Sequence, residues 1–494
     1  MTASSKKYAF ILFVLLLFFL PRLINFTILP IFNDESTYIR YGLYELNQPS
    51  HQPYSLLIGK EPLLPYLYAA FGSGFGDLLV GARFVTIIFG ALTLLGLFLF
   101  TKSLLGRRVA LFASLFYCVS PFTVFFDRLA LLDSPVATIA VWSLYFTNFL
   151  FQKNRWWYAL GLGFVTGIGL WVKTSDLFYL FLPLISYLIY FFVKGDRHGT
   201  KAKRFALAFV IAIIIFLPLF TNPFYAVHRQ LLQQYTYPWY SIFLFPFTIW
   251  WNNFVGVVEW LFFYLTPPLF LLAVISLLLF RFDKKLWLVA LWFYLPFVYE
   301  VLYAKLFTAR QALLLTIPLF VFAGYGFSLL IERKKMIGII LGVCIFVWSL
   351  FDISILLTSP QQYQNLFADR ASGDMSQYVH GFSSGYGVKE AIDYLEQASQ
   401  TQRIVVLIRN DHGNPEDAMV AYLSNKPTIL MGLMNNPTVD VPQVFAQVGT
   451  SIPVYYVARG GYNAGLEKYF VSEKIFAKPD DKEYVGVALL KPAK

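Results

Sequence analysis

The sequence predicts a polytopic α-helical membrane protein that ends in a polar α/β domain. Three observations lead there. Charged residues are only 14% of the chain and hydrophobic residues 58%, whereas a soluble domain carries roughly 25% charged residues. One aqueous core cannot shelter that much apolar surface, so lipid must serve as its solvent. Apolar runs long enough to cross a bilayer recur from residue 8 to about residue 357. Beyond residue 357 the chain turns polar, and no spanning run follows.

Eleven spans are predicted, near 8–29, 83–101, 109–126, 135–151, 156–172, 177–193, 205–221, 259–280, 286–303, 311–331 and 336–357. The first has no small-residue cleavage site and reads as a retained anchor rather than a signal peptide. Lys6 and Lys7 precede it. The turns at 102–108, 152–155, 194–204, 281–285 and 332–335 are all short and basic. By the positive-inside rule they face the cytoplasm with the N-terminus, which puts the C-terminal domain outside a plasma membrane. The net charge of +11 resides largely in these turns, which argues against nucleic acid as a partner. Cys118 and Cys344 both fall in spans, with no disulfide or metal-ligand pattern.

Two long loops face outward. Residues 30–82 include an apolar stretch, Leu63 to Ala70, suited to an interfacial helix. Residues 222–258 are rich in Tyr, Trp, Phe and Pro. The chain thus divides into a membrane domain, 1–357, and an α/β domain, 358–494. In the latter, Gly387 to Gln400 reads as an amphipathic helix with Val388, Ile392 and Leu395 on one face. Arg403 to Arg409 reads as a buried strand, Asp417 to Ser424 as a helix, and Ile452 to Ala458 and Tyr484 to Leu490 as strands. No Ser/His/Asp or metal constellation stands out there, so acceptor selection or structural support is its expected role.

Charges from separate outward segments share one membrane face: Asp34, Glu35, Lys60, Glu61, Arg83, Asp127, Arg128, Asp133, Lys173 and Arg310. The set offers carboxylates for proton abstraction and cations for a phosphate. Plainer readings exist for each. Asp34-Glu35 suits a helix N-terminus. Lys60 suits an interfacial snorkelling residue. Arg128 and Asp133 suit a local pair, and Arg83 and Arg310 suit span-end anchors. Lys173 with Asp176 suits a solvated turn, and Tyr237, Trp239 and Tyr240 an aromatic belt. His228 has no metal spacing around it and reads as structural.

The ordered motifs add a resemblance. Asn33-Asp34-Glu35-Ser36-Thr37-Tyr38 resembles the first-loop acidic motif of the GT-C membrane glycosyltransferases, in the branch of protein O-mannosyltransferases and lipid A aminoarabinose transferases. Lys60-Glu61-Pro62-Leu63 resembles that family's Lys-Pro-Pro-Leu element, with Glu61 in place of the first Pro. Ala82-Arg83-Phe84 resembles the start of its second span. Phe126 to Pro135 is similar to its second acidic motif, Val172-Lys173-Thr174 to its Thr-Lys element, Gln234 to Tyr240 to its aromatic loop, and Ala309-Arg310 to its late-span Arg. The resemblance spans about residues 8–330. It implies a GT-C fold and inverting transfer of a sugar from a polyprenyl phosphate-linked donor to an extracytoplasmic protein, lipid or glycan.

In that scheme Asp34 is the catalytic carboxylate, assisted by Glu35. Lys60, Arg83, Arg128, Lys173 and Arg310 attend the donor phosphate, and Asp127, Asp133, Glu61, Tyr237, Trp239 and Tyr240 support them. Some relatives hold a divalent cation near the acidic pair; Asp34 and Glu35 would be its ligands here, although no spacing demands one. Two other classes fit many spans: a transporter or lipid flippase, and a non-enzymatic scaffold that displays the C-terminal domain. Boundary clustering of the charges and the lack of an internal repeat disfavour the transporter, whose sites lie near the midplane on repeats. Eleven spans exceed what a scaffold's anchor needs.

Overall fold

Long apolar helices form a bundle, and the loop helices and the α/β unit gather at one of its ends. The computed structural model describes residues 3–153, 155–195, 199–279, 284–306, 308–367, 373–449, 451–460, 465–480 and 482–492. Ala3–Leu23 (α1) leads to Asn33–Asn47 (α2), whose buried side includes Glu35, Tyr38 and Ile39. Leu63–Phe75 (α3) packs between α2 and Leu78–Leu105 (α4). Arg107–Val119 (α5) and Pro121–Asp127 (α6) meet at a 61° bend. Pro121 lacks an N–H and breaks the ladder there.

Asp133–Lys153 (α7), Trp156–Val172 (α8), Leu177–Lys194 (α9) and Thr200–Phe220 (α10) follow, then the short Tyr225–Leu232 (α11). Phe247–Tyr264 (α12) and Pro267–Leu279 (α13) are separated at Leu265-Thr266. Trp287–Tyr303 (α14), Thr316–Arg333 (α15) and Lys335–Thr358 (α16) complete the bundle, and Pro360–Phe367 (α17) leads out of it. Among the described residues, six helices are long and apolar enough to cross a membrane, and α5 with α6 makes a seventh if counted as one broken span. Four shorter apolar stretches, Ile11–Leu23, Trp156–Val172, Pro267–Leu279 and Trp287–Tyr303, occupy the remaining predicted spans. Within the outward segment expected over 222–258, α12 begins at Phe247.

The basic turns share one end. The Phe151 ring packs on Tyr190, Phe205 and Trp287 at 4.9, 5.4 and 5.8 Å between centroids. Arg108 pairs with Glu332 at 2.7 Å. Residues 154, 196–198 and 281–283 of the predicted turns lie outside the described residues.

At the other end sits the C-terminal unit. It runs Val388–Thr401 (α18), Ile404–Arg409 (β1), Glu416–Leu423 (α19), Ile429–Met434 (β2), Pro437–Val448 (α20), Val454–Arg459 (β3), Phe470–Ala477 (β4) and Tyr484–Leu490 (β5). The strand order is β2-β1-β3-β5-β4, parallel among β2, β1 and β3 and antiparallel for β5 and β4. Side chains of β1 alternate between the faces. Ile404, Val406 and Ile408 join the core that holds Val388, Ile392 and Leu395 of α18, whereas Val405 and Leu407 pack with Val441 of α20.

Candidate active site

The acidic pair on α2 is split by helix geometry. Adjacent residues on a helix point about 100° apart, so Glu35 turns into the bundle while Asp34 turns to Arg310. Glu35 Oε2 accepts from the Phe32 backbone N–H at 2.8 Å and from Arg83 Nη2 at 2.7 Å. Its Oε1 accepts from Arg83 Nε at 2.8 Å and from the Ala130 N–H at 2.7 Å. Four donors thus hold a carboxylate with no exposed surface. The capping role that the sequence leaves open belongs to Glu35, reaching back to the turn before the helix.

Asp34 takes the other path. Arg310 Nη1, in the turn Ala309–Leu315, donates to its Oδ2 at 2.5 Å. Each of the two side chains is 18% exposed. Burial opposes the charge on Asp34, yet the Arg310 and Lys60 charges outweigh it and hold the carboxyl well below the usual carboxylate range. Asp133, in the first turn of α7, accepts from Lys173 Nζ at 2.7 Å and lies 4.0 Å from Arg310 Nε. Lys60 Nζ stands over the Tyr38 and Tyr235 rings, 5.6 and 5.5 Å from their centroids. Among the described residues its ammonium has no ion pair, so it is a cation still available to a ligand.

Lys60, Asp133, Lys173 and Arg310 border one cavity of about 690 Å³, and Asp34 reaches its edge through Arg310. Its polar end carries Lys60, Asp133, Lys173 and Arg310, with Tyr38 and Tyr235 beside them. From there it runs as an apolar lane between α9 and α14, past Phe178, Phe181, Ile185, Leu295 and Val298. Phe181 is 47% exposed, so the lane opens on the lipid-facing side of the bundle.

Several predicted residues are elsewhere. Arg83 and Arg128 do not reach the cavity. Arg83 is committed to Glu35 and to the carbonyls of Phe26, Leu29 and Pro30. Arg128 donates to the Pro21 and Asn25 carbonyls at 3.2 and 2.6 Å and does not pair with Asp133. Asp127 is buried, accepting from Arg22 Nε at 2.9 Å, from Tyr117 Oη at 3.1 Å and from the Ser134 hydroxyl. Trp239 and Tyr240 are exposed, and Tyr237 is tied by its N–H to the Tyr303 carbonyl at 2.8 Å. From the aromatic segment it is Tyr235 that lines the cavity.

Glu61 lines the cavity and accepts from the Thr174 hydroxyl; His228 Nε2 is 3.3 Å from it. His228 therefore belongs to a polar node beside the site, brought there by α11, a contact invisible in local spacing. Glu300 of α14 also lines the cavity. A lone carboxylate inside an apolar run was the available signal for it. No group of three or more His, Cys, Asp or Glu side chains gathers among the described residues. Asp34 and Glu35 do not fit a shared cation, because Glu35 points away and its oxygens are saturated by four donors.

Residues 59–221 match the family model of dolichyl-phosphate-mannose-protein mannosyltransferases. The structure is similar to that of ArnT from Cupriavidus metallidurans bound to undecaprenyl phosphate, with a TM-score of 0.64 at 16% identity over 99% of this chain and 98% of that one. The Archaeoglobus fulgidus oligosaccharyltransferase in its apo form gives 0.53 at 13% identity, covering 95% of this chain and 74% of that one. No curated protein sequence matches the chain. The family match covers about a third of the chain, and the likeness to these structures shows a shared GT-C fold.

Proposed function

We propose that this protein transfers a hexosyl or pentosyl unit from a polyprenyl phosphate-linked donor to a protein, lipid or glycan acceptor outside the cytoplasm, with inversion. The observation that carries the reading is the cavity: a cationic end continuous with an apolar lane open to lipid. A phosphate joined to an isoprenoid tail has that same division of polarity. Lys60 and Arg310 hold the phosphate, and the tail lies along Phe178, Phe181 and Ile185. Lys173, bridged to Asp133, fixes the rim. The C-terminal unit and the polar site lie on the outer side of a plasma membrane, with the basic turns in the cytoplasm.

In the reaction the acceptor oxygen or nitrogen bonds to the anomeric carbon as the bond from that carbon to the phosphate oxygen breaks. The acceptor proton passes to Asp34, and the phosphate leaves with one added negative charge. Lys60 and Arg310 stabilise that charge as it develops. Without ligand, Arg310 suppresses the basicity of Asp34. A donor phosphate that engages Arg310 draws off part of that charge, so donor binding makes Asp34 a stronger base where the acceptor arrives.

The test is release of polyprenyl phosphate from a labelled polyprenyl phosphate sugar by the purified protein. Release together with a glycosylated product supports the proposal. Movement of the donor between leaflets without release favours a flippase, and neither outcome favours a scaffold.

A further inference from the structure

The first turn of α2 is gripped from two sides. On the bundle side the grip is Glu35. On the other side it comes from the C-terminal unit. The Asn33 N–H donates to the Ser383 carbonyl at 3.0 Å. The Asn414 N–H donates to Asn33 Oδ1 at 2.8 Å, and its Nδ2 donates to the Ile31 and Ser383 carbonyls at 2.8 and 3.2 Å. Asp417, fully buried at the start of α19, accepts from the Thr37 hydroxyl and from Arg40 Nη1, both at 2.5 Å, and from the Gly413 N–H at 2.7 Å. Asn33, Thr37 and Arg40 are spaced four and three apart, so they form one stripe of the helix.

The two parts meet at backbone contact. A Cβ on Gly413 would lie 1.9 Å from Asn33 Oδ1, and one on Gly385 would lie 2.1 Å from the Ile31 carbonyl oxygen. Asp34 stands between the two grips, on the helical face that neither occupies. Tyr378 and Asp374, which precede α18, lie within electrostatic reach of Arg310.

We propose that the C-terminal unit is a positioning element for catalysis: Asn414 and Asp417 fix the first two turns of α2 so that Asp34 faces the acceptor at the cationic end of the cavity. This rests on the assignment of Asp34 under the proposed function. It gives the domain a part in the chemical step for every acceptor, beyond selecting one. Misplacement of a reacting group by about 1 Å costs on the order of a hundredfold in rate. The donor phosphate is held by Lys60 and Arg310, outside this clamp, so donor binding is largely spared.

The experiment compares Thr37→Val, Thr37→Ser and Asp417→Asn in the full chain. It reads kcat and donor KM with a labelled polyprenyl phosphate sugar, together with thermal unfolding in detergent. Thr37→Val keeps the side-chain shape and loses the hydroxyl to Asp417; Thr37→Ser keeps the hydroxyl. The expected result is a fall in kcat of about ten- to a hundredfold in Thr37→Val and Asp417→Asn. Donor KM stays within about threefold and Thr37→Ser keeps wild-type kcat. Unchanged kcat in Thr37→Val and Asp417→Asn overturns the inference. So does a parallel loss of donor affinity, thermal stability and kcat, which is what plain structural support would give. If the wild-type chain releases no polyprenyl phosphate, the functional reading itself has failed, and that outcome is distinct from both.

Discussion

Asp34 and Glu35 are neighbours in sequence and opposites in use. Asp34→Asn keeps the size and removes the proposed base, so turnover of donor should fall by about 10²–10⁴-fold with thermal stability maintained. Glu35→Gln breaks a buried pair with Arg83, a loss of about 3–5 kcal/mol when one charge remains uncompensated, read as a lowered unfolding midpoint. Normal turnover in Asp34→Asn would remove it from the chemistry. The cations separate in the same way. Lys60→Ala should raise donor KM about ten- to a hundredfold, the value of a charge-assisted contact of roughly 1.5–3 kcal/mol. Arg128→Ala should leave donor KM unchanged and destabilise the chain by about 1–3 kcal/mol, since it takes a charged donor from the Pro21 and Asn25 carbonyls; a donor effect equal to that of Lys60→Ala would reverse this assignment. The sequence shows which charges sit near this end of the bundle. It does not show which of them the fold consumes, because the carbonyls that hold Arg128 and the arginine that pairs with Asp127 lie about a hundred residues away in α1 and its exit.

At the scale of elements, the apolar runs were legible because a lipid-facing helix needs little more than length and hydropathy. Helix α12 and strands β2 and β4 are among those that were not. Helix α12 is crowded with aromatic residues and lacks polar contrast, so its first turns read as loop. Strands β2 and β4 lie at the two edges of the sheet, where one flank is unpaired and a strict alternation is not enforced; β4 is largely exposed. The turn from Gly373 to His380, including the wide turn Ser376–His380, carries a titratable group with a consequence. Burial pushes the Asp374 carboxyl up to about 7, against the Tyr264 hydrogen bond and the Arg310 charge that favour ionisation. Tyr363 also lies near it. Between the ordinary value of 3.8 and about 7 the folded state holds more protons than the unfolded one. Stability from this group is therefore complete below that window and lost as pH rises through it. Asp374→Asn resembles the protonated form and should flatten the fall in unfolding midpoint from about pH 4 to 7. An unaltered slope would show that Asp374 is not the group responsible.

For the whole molecule, the question is which end faces out. The sequence predicts orientation from the basic turns alone, and the fold adds that those turns meet at one end while Asp34, Lys60, Arg310 and the α/β unit occupy the other. Use of a donor lipid on the outer face, as proposed, requires this polarity, and the two ends can be tested with single cysteines. Cys118 is buried and Cys344 exposed, so the background form carries Cys344→Ser. Lys389→Cys on α18 places a thiol at a side chain that is 72% exposed in the α/β unit. Arg108→Cys places one at a basic turn, where the native side chain is 45% exposed. In intact cells a membrane-impermeant maleimide should label the Lys389→Cys protein and leave the Arg108→Cys protein unlabelled until the membrane is opened. The reverse pattern would put the cavity's cationic end in the cytoplasm. Acceptors would then have to be sought there, and the positive-inside argument would fail for this chain despite its five basic turns.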